Sequence, residues 1–183
     1  MNSRDNGNGE NGGNGRGQKR RALAADEKSP GERATEAVRE FLEEDGWYPE
    51  PVGDAAVFRV HYSGRNATFP CFIQVRIELE QLLVYAVCPV RTPEDSRGRV
   101  AEFTTRANYG MRIGNFELDY EDGEVRYKTS VDFEGEALTA HWLRGLLYPA
   151  VQTMDTYLPG LLAVAHGERS PLEAIRLIEE PEE

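Results

Sequence analysis

NYGMRIGNFELDYEDGEVRYKTSVDF, Asn108 to Phe133, carries two alternating apolar-polar runs joined by Asp122-Gly123. Asp-Gly between such runs predicts a tight hairpin, because glycine takes the left-handed backbone of the turn without steric cost. A two-residue turn sets Phe116 opposite Thr129, Leu118 opposite Tyr127 and Tyr120 opposite Val125 on one buried face. The other face then holds Glu117 opposite Lys128 and Asp119 opposite Arg126, opposite charges that suit a wetted surface.

Upstream of this hairpin, three further runs read as strands. In Ala56–Ser63, Ala56, Phe58, Val60 and Tyr62 alternate with Val57, Arg59 and His61. In Phe69–Glu78, Phe69, Cys71, Ile73, Val75 and Ile77 alternate with Phe72, Gln74, Arg76 and Glu78. Leu82–Cys88 completes the set. A hairpin about Leu79-Glu80 sets Ile77 opposite Leu82, Val75 opposite Val84, Ile73 opposite Ala86 and Cys71 opposite Cys88, a fully apolar inner face.

The helices frame these strands. From Pro30, Ala34, Ala37, Val38, Phe41 and Leu42 recur at three- and four-residue spacing, with Ser29-Pro30 as the start and Gly46 as the stop. Residues 93–108 predict a second helix with Val100, Phe103, Thr104 and Ala107 on one face. A long helical stretch starts after Thr139 as N-cap and ends at Gly167. Pro149 and Pro159 fall inside it and are expected to bend or break it, since each removes a backbone donor. A short last helix follows Ser170-Pro171. The order predicts an α+β fold, α-β-β-β-α-β-β-α, with a mainly antiparallel sheet packed by helices.

Charge divides the chain unevenly. Residues 1–29 hold six basic and four acidic side chains, so the net charge of −11 leaves −13 on the remainder. This Asn-, Gly- and Arg-rich segment has almost nothing to bury and reads as a disordered tail. Residues 30–179 read as a single domain and 180–183 as an acidic end. An acidic body repels phosphate backbones, so nucleic acid would be contacted only through the tail, by Arg16, Lys19, Arg20 and Arg21. The bland alternative for the tail is solubilisation. Neither a signal peptide nor a stretch apolar enough to span a membrane is visible, and two cysteines are too few for a disulfide framework. The expected location is cytoplasmic.

Motifs that carry chemistry are scarce. His61, His141 and His166 have no His or Cys partner at metal-ligand spacing. The acidic run Asp119 to Gly123 sits on a hairpin and lacks the later bidentate Glu of a calcium loop. Cys71 and Cys88, side by side in this register, are either a redox pair or core packing, and their place on the apolar face favours packing, because burial makes a thiol inert. Nothing resembles a nucleophile elbow, a phosphate loop or a metalloprotease helix. No enzyme, cofactor or metal is expected.

Several local matches carry a resemblance to a family. They are Asn108 closing the middle helix, Gly114 to Asp119, Asp122 to Val125, Tyr127, Leu138-Thr139, Asp155-x-Tyr157-x-Pro159, and Gly167 with Ser170-Pro171-x-Glu173-Ala174. In this order, over roughly residues 32–176, the chain resembles the YbjN family of bacterial sensory transduction regulators. The resemblance implies a type III secretion chaperone-like fold, no catalytic residues, a protein partner and dimerisation.

Together these readings predict a non-enzymatic, chaperone-like or regulatory protein-binding module. The alternative is a nucleic-acid-associated protein acting through its tail. The candidate contacts are Phe72, Gln74 and Tyr85 on the outer sheet face, with Gln74 opposite Tyr85, and the aromatic connector Trp47-Tyr48. Either they form a contact patch, or a helix covers that face and they belong to the core.

Overall fold

The computed structural model describes residues 28–53 and 56–180. Expectations for residues 1–27 and 181–183, the tail and most of the acidic end, lie outside the described residues. The helices are α1 (Pro30–Glu44), α2 (Arg97–Asn108), α3 (Ala140–Ala165) and α4 (Pro171–Glu179). The strands are β1 (Glu50–Pro51), β2 (Val57–Ser63), β3 (Thr68–Arg76), β4 (Gln81–Val87), β5 (Asn115–Leu118) and β6 (Val125–Asp132). They form one sheet in the order β1-β2-β3-β4-β6-β5, with every neighbouring pair antiparallel. The α+β architecture is as expected, with the two-residue strand β1 added at one edge.

Local chemistry explains the helix ends. Ser29 and Ser170 each accept from the backbone of a glutamate three residues on, and that glutamate side chain returns a bond to the serine backbone. Gly46, at φ +79, ends α1 as expected, and the next amide, Trp47 N–H, donates to Leu42 O at 2.8 Å. Residues 94–96 form a 3-10 turn, so α2 begins at Arg97 rather than near Pro93.

The core lies between the four helices and one face of the sheet. Phe58 and Val60 of β2, Phe69, Cys71, Ile73 and Val75 of β3, and Leu82, Val84 and Ala86 of β4 are all buried in it. Helix α3 packs on β4 and β6, α1 on β3, and α2 on β5. In α1 the stripe Val38, Phe41 and Leu42 is buried as predicted. At about 1.5–3 kcal/mol per fully buried large apolar side chain, this stripe outweighs the exposed pair that Lys28, just before the helix, makes with Glu36.

Both hairpin registers differ from expectation by two residues. Cys71 lies opposite Ala86, Ile73 opposite Val84 and Val75 opposite Leu82, so Ile77–Leu82 and Cys71–Cys88 are not pairs. Likewise Phe116 faces Tyr127, Glu117 faces Arg126 and Leu118 faces Val125. Thr129 and Lys128 therefore lie two residues further along than predicted, and Tyr120 is exposed beyond the paired strand. The physical reason is the same in both. Each loop has four residues and ends on a left-handed one, Glu80 at φ 48 or Gly123 at φ 76. Ile77–Leu79 thus forms a 3-10 turn rather than strand. In the second loop Asp119 N–H donates to Glu124 O, so Asp122-Gly123 is the loop's second half and not its tip. A slip of two keeps every side chain on its predicted face.

Helix α3 is one continuous helix of 26 residues despite Pro149 and Pro159, so of the expected bend or break the break does not occur. Each proline orphans the carbonyl four residues back. Pro159 frees Asp155 O, and Asn66 Nδ2 donates to it at 2.8 Å. Pro149 frees Gly145 O, and Gly145 is exposed to water. Thr129 Oγ1 adds a bond to the neighbouring Leu146 O at 3.0 Å.

Candidate protein-contact surface

The sheet face away from the helices carries Val57 and Arg59 of β2, Phe72 and Gln74 of β3, Leu83, Tyr85 and Val87 of β4, and Arg126 and Lys128 of β6. None of these belongs to the core cluster that the helices share with the inner face. Among the described residues, no helix covers this surface. Phe72, Gln74 and Tyr85 are half-buried there. They line a recess of about 230 Å³ with Val57, Val87, Glu124 and Arg126.

The register sets who meets whom. Phe72 stands opposite Tyr85, and Gln74 stands opposite Leu83 rather than opposite Tyr85 as predicted. Directly opposed aromatic residues on antiparallel strands are the cross-strand neighbours, and such rings present large contact area. The Arg126 guanidinium lies 4.5 Å from the Tyr85 ring centroid. Arg126 Nε also donates to Glu117 Oε2 at 2.8 Å, and Lys128 pairs with the other oxygen of the same carboxylate. Burial pulls the Glu117 carboxyl upward, but the bonds from Lys128 and Arg126 outweigh it and hold the group below the usual carboxylate range. The cationic side chain is thereby held over the Tyr85 ring, which suits it to a contact surface.

The connector residues lie elsewhere. Trp47 packs on the helix side, with its ring stacked on Tyr62 at 5.9 Å and edge-on to Tyr148 of α3 at 5.8 Å. Asp45 organises this corner, because one carboxylate accepts from Trp47 Nε1 (3.1 Å), Tyr148 Oη (2.8 Å) and Arg144 Nη2 (3.0 Å). Trp47 is thus a lid on the core rather than a surface contact. Tyr48 is 86% exposed at φ 51, a backbone region that non-glycine residues seldom adopt. The five candidate side chains therefore separate into an outer-face group, Phe72, Gln74 and Tyr85, and an edge group, Trp47 and Tyr48.

Asp45 yields a pH-dependent expectation. Burial raises its pKa, but the hydrogen bonds from Tyr148, Trp47 and Arg144 outweigh burial and leave it lowered. A lowered folded pKa contributes stability that is fully present above the unfolded value and is lost as pH falls through the folded one. Asp45→Asn is expected to cost about 1–2 kcal/mol at neutral pH. The gap between wild type and variant should close below roughly pH 4, as urea unfolding at several pH values would show. An unchanged gap at acid pH would remove the charge from the explanation.

The remaining sequence candidates are quickly placed. Arg16, Lys19, Arg20 and Arg21 lie outside the described residues. His61, His141 and His166 are exposed and far apart in sequence, and among the described residues no cluster of three His, Cys, Asp or Glu could hold a metal. Cys71 and Cys88 are free and buried. Burial pushes the Cys71 thiol up to about 12, so it stays protonated and unreactive at neutral pH. No helix among the described residues is long and apolar enough to cross a membrane.

Sequence reasoning overlooked Arg126 as part of the recess and the walls Val57 and Val87. Arg126 was counted only for its charge pairing. The signal was present, since apolar residues at several outward strand positions exceed what a purely solvated face requires.

Three comparisons bear on this architecture. No curated protein matches the chain. Among solved structures, YbjN from E. coli, described as a putative transcription regulator, superposes with a TM-score of 0.54 at 14% identity, covering 72% of this chain and 92% of that one. The ExsC-ExsE complex superposes with a TM-score of 0.53 at 14% identity, covering 72% of this chain and 96% of that one. At such identity these two show the fold alone, which is type III secretion chaperone-like. The family model named YbjN, "Putative bacterial sensory transduction regulator", matches residues 34–163, and the chain belongs to that family.

Proposed function

We propose that this protein is a non-enzymatic, chaperone-like or regulatory module that binds a protein partner through the outer sheet face around Phe72 and Tyr85. The observation that carries the reading is that opposed aromatic pair, half-buried beside a recess on a face no described helix covers. Aromatic residues flanked by an arginine are the side chains that dominate protein contacts. The fold's likeness to a protein solved in complex with a partner, ExsC with ExsE, supports the same class of role. A homodimer would use the same logic with a second copy as partner.

The test compares wild type with Phe72→Glu and Tyr85→Glu in pull-downs from cell extract, followed by titration of the recovered partner in purified form. Each substitution is expected to weaken binding about 30-fold, the scale of a hot-spot residue. Thermal melts should stay close to wild type, because both side chains lie outside the core. Failure to recover a reproducible partner with the wild type, or equal binding by the variants, would sink the assignment of this face.

A further inference from the structure

We propose that the cleft between α3, α4 and the β2–β3 turn binds a small organic anion, one carboxylate on an unbranched apolar body. The cleft measures about 480 Å³, within the range of small-ligand sites. Its apolar wall is made by Pro159 and Ala163 of α3 and by Ala174, Leu177 and Ile178 of α4. Leu177 is 53% exposed, so this wall faces solvent in the free protein. Two guanidinium groups, those of Arg65 and Arg169, line the same cleft. Neither side chain forms an ion pair or hydrogen bond among the described residues.

The acidic groups nearby are already engaged. Asp155 Oδ2 accepts from Arg65 N–H at 2.8 Å and Oδ1 from Asn66 N–H at 2.9 Å. The Glu173 carboxylate accepts from Ser170 N–H at 3.0 Å and Ser170 Oγ at 2.7 Å. Those bonds, more than the charge of Arg169, hold Glu173 low. Both carboxylates are occupied by donors of their own, which leaves the guanidinium forks for a guest. Arginine suits a carboxylate because its planar donors match the two oxygens.

The same bonds argue against a peptide. The amides of Arg65 and Asn66 are taken by Asp155, Asn66 Nδ2 by Asp155 O, and Gly64 N–H by Ala67 O. A polypeptide entering here would find none of these donors free for its own carbonyls, and each carbonyl buried without a partner costs free energy. An alkyl carboxylate has no polar group other than the one the arginines satisfy.

The experiment is calorimetric titration of the full chain with dodecanoate, below its aggregation concentration. Saturable one-site binding is expected, weakened at least about tenfold by Arg65→Ala and by Arg169→Ala, with dodecanol failing to bind. Ala163→Trp, which fills the cleft from an already half-exposed position, should abolish binding while leaving the melting temperature unchanged. Absence of saturation at about 1 mM, equal binding of dodecanol, or indifference to both arginine substitutions would overturn the site. So would tight binding of a peptide with a C-terminal leucine carboxylate in place of dodecanoate. Partner binding at Phe72 and Tyr85 is read separately, so either proposal can fail without the other.

Discussion

Gly123→Ala is expected to lower stability by about 3 kcal/mol, with urea unfolding as the measurement. Two effects combine. Gly123 has φ +76, where an alanine side chain costs roughly 1 kcal/mol. A Cβ at this position would also stand 2.2 Å from Thr92 O, a main-chain oxygen that cannot rotate aside. Thr92 N–H donates to Gly123 O at 2.8 Å, so relief of the clash would break the bond that ties the segment after β4 to the end of the β5–β6 loop. Arg91, next to Thr92, pairs with Asp122 and Glu124 across the same junction, but Arg91 and Asp122 are exposed and Glu124 is only half-buried, so the pairs would restrain it weakly. Gly135 provides the control. It has the same φ, +76, with nothing within 4 Å of its added Cβ, so Gly135→Ala should cost only the conformational part, roughly 1 kcal/mol. Equal losses in the two variants would show that the contact with Thr92 contributes nothing.

The second large effect is expected at Asp155. This buried carboxylate reaches from the middle of α3 to the β2–β3 turn, accepting from two consecutive backbone amides. Asp155→Ala leaves those two donors without acceptors, at about 3 kcal/mol for the pair of charge-assisted bonds. Asp155→Asn keeps the shape but offers one oxygen and turns an NH2 toward a donor, so it should cost nearly as much. The local readout is hydrogen exchange, in which the amides of Arg65 and Asn66 should lose protection in both variants while those of β4 and β6 keep theirs. A full recovery of stability in the asparagine variant would mean that shape, and not charge, holds the turn. Gly64 belongs to the same lock, because a Cβ there would lie 2.2 Å from Asp155 Oδ1.

What could be read from the chain beforehand follows from which physical quantity each feature depends on. Facing depends on parity, and alternation such as Phe69, Cys71, Ile73, Val75 displays parity directly, so every strand buries the side that was expected. Pairing depends on loop length, which alternation does not encode. Asp-Gly suggested a two-residue tip, yet the loop closes with Gly123 in last place, and Glu80, which carries no turn signal of its own, does the same at the β3–β4 loop. The unbroken α3 was illegible for a different reason. A proline's effect depends on whether its orphaned carbonyl finds another donor, and that donor, Asn66, lies 89 residues away in sequence.

The candidate site was legible in part. Phe72, Gln74 and Tyr85 were found because they stand at outward positions of apolar strands, and the structure gathers them at one recess. Trp47 and Tyr48 were grouped with them only as neighbouring aromatics. Their separation arises from Asp45, whose three bonds draw Trp47 toward α3. No local pattern announces such a carboxylate, since two of its three partners, Arg144 and Tyr148, lie about a hundred positions further along the chain. Arg65 and Arg169 were invisible as a pair, because 104 positions separate them in the numbering and only the packing of α4 against α3 sets them on one cleft.

The last residue of α2, Asn108, completes the sheet in an indirect way. Its Oδ1 accepts from Phe116 N–H at 2.7 Å and its Nδ2 donates to Phe116 O at 3.1 Å. One side-chain amide thereby does for edge strand β5 what a peptide group of a neighbouring strand would do. The main-chain groups of Phe116 that a second chain would have to recruit are already matched, donor to acceptor, from within. The sheet ends at β5 because a helix terminus impersonates a seventh strand one residue long.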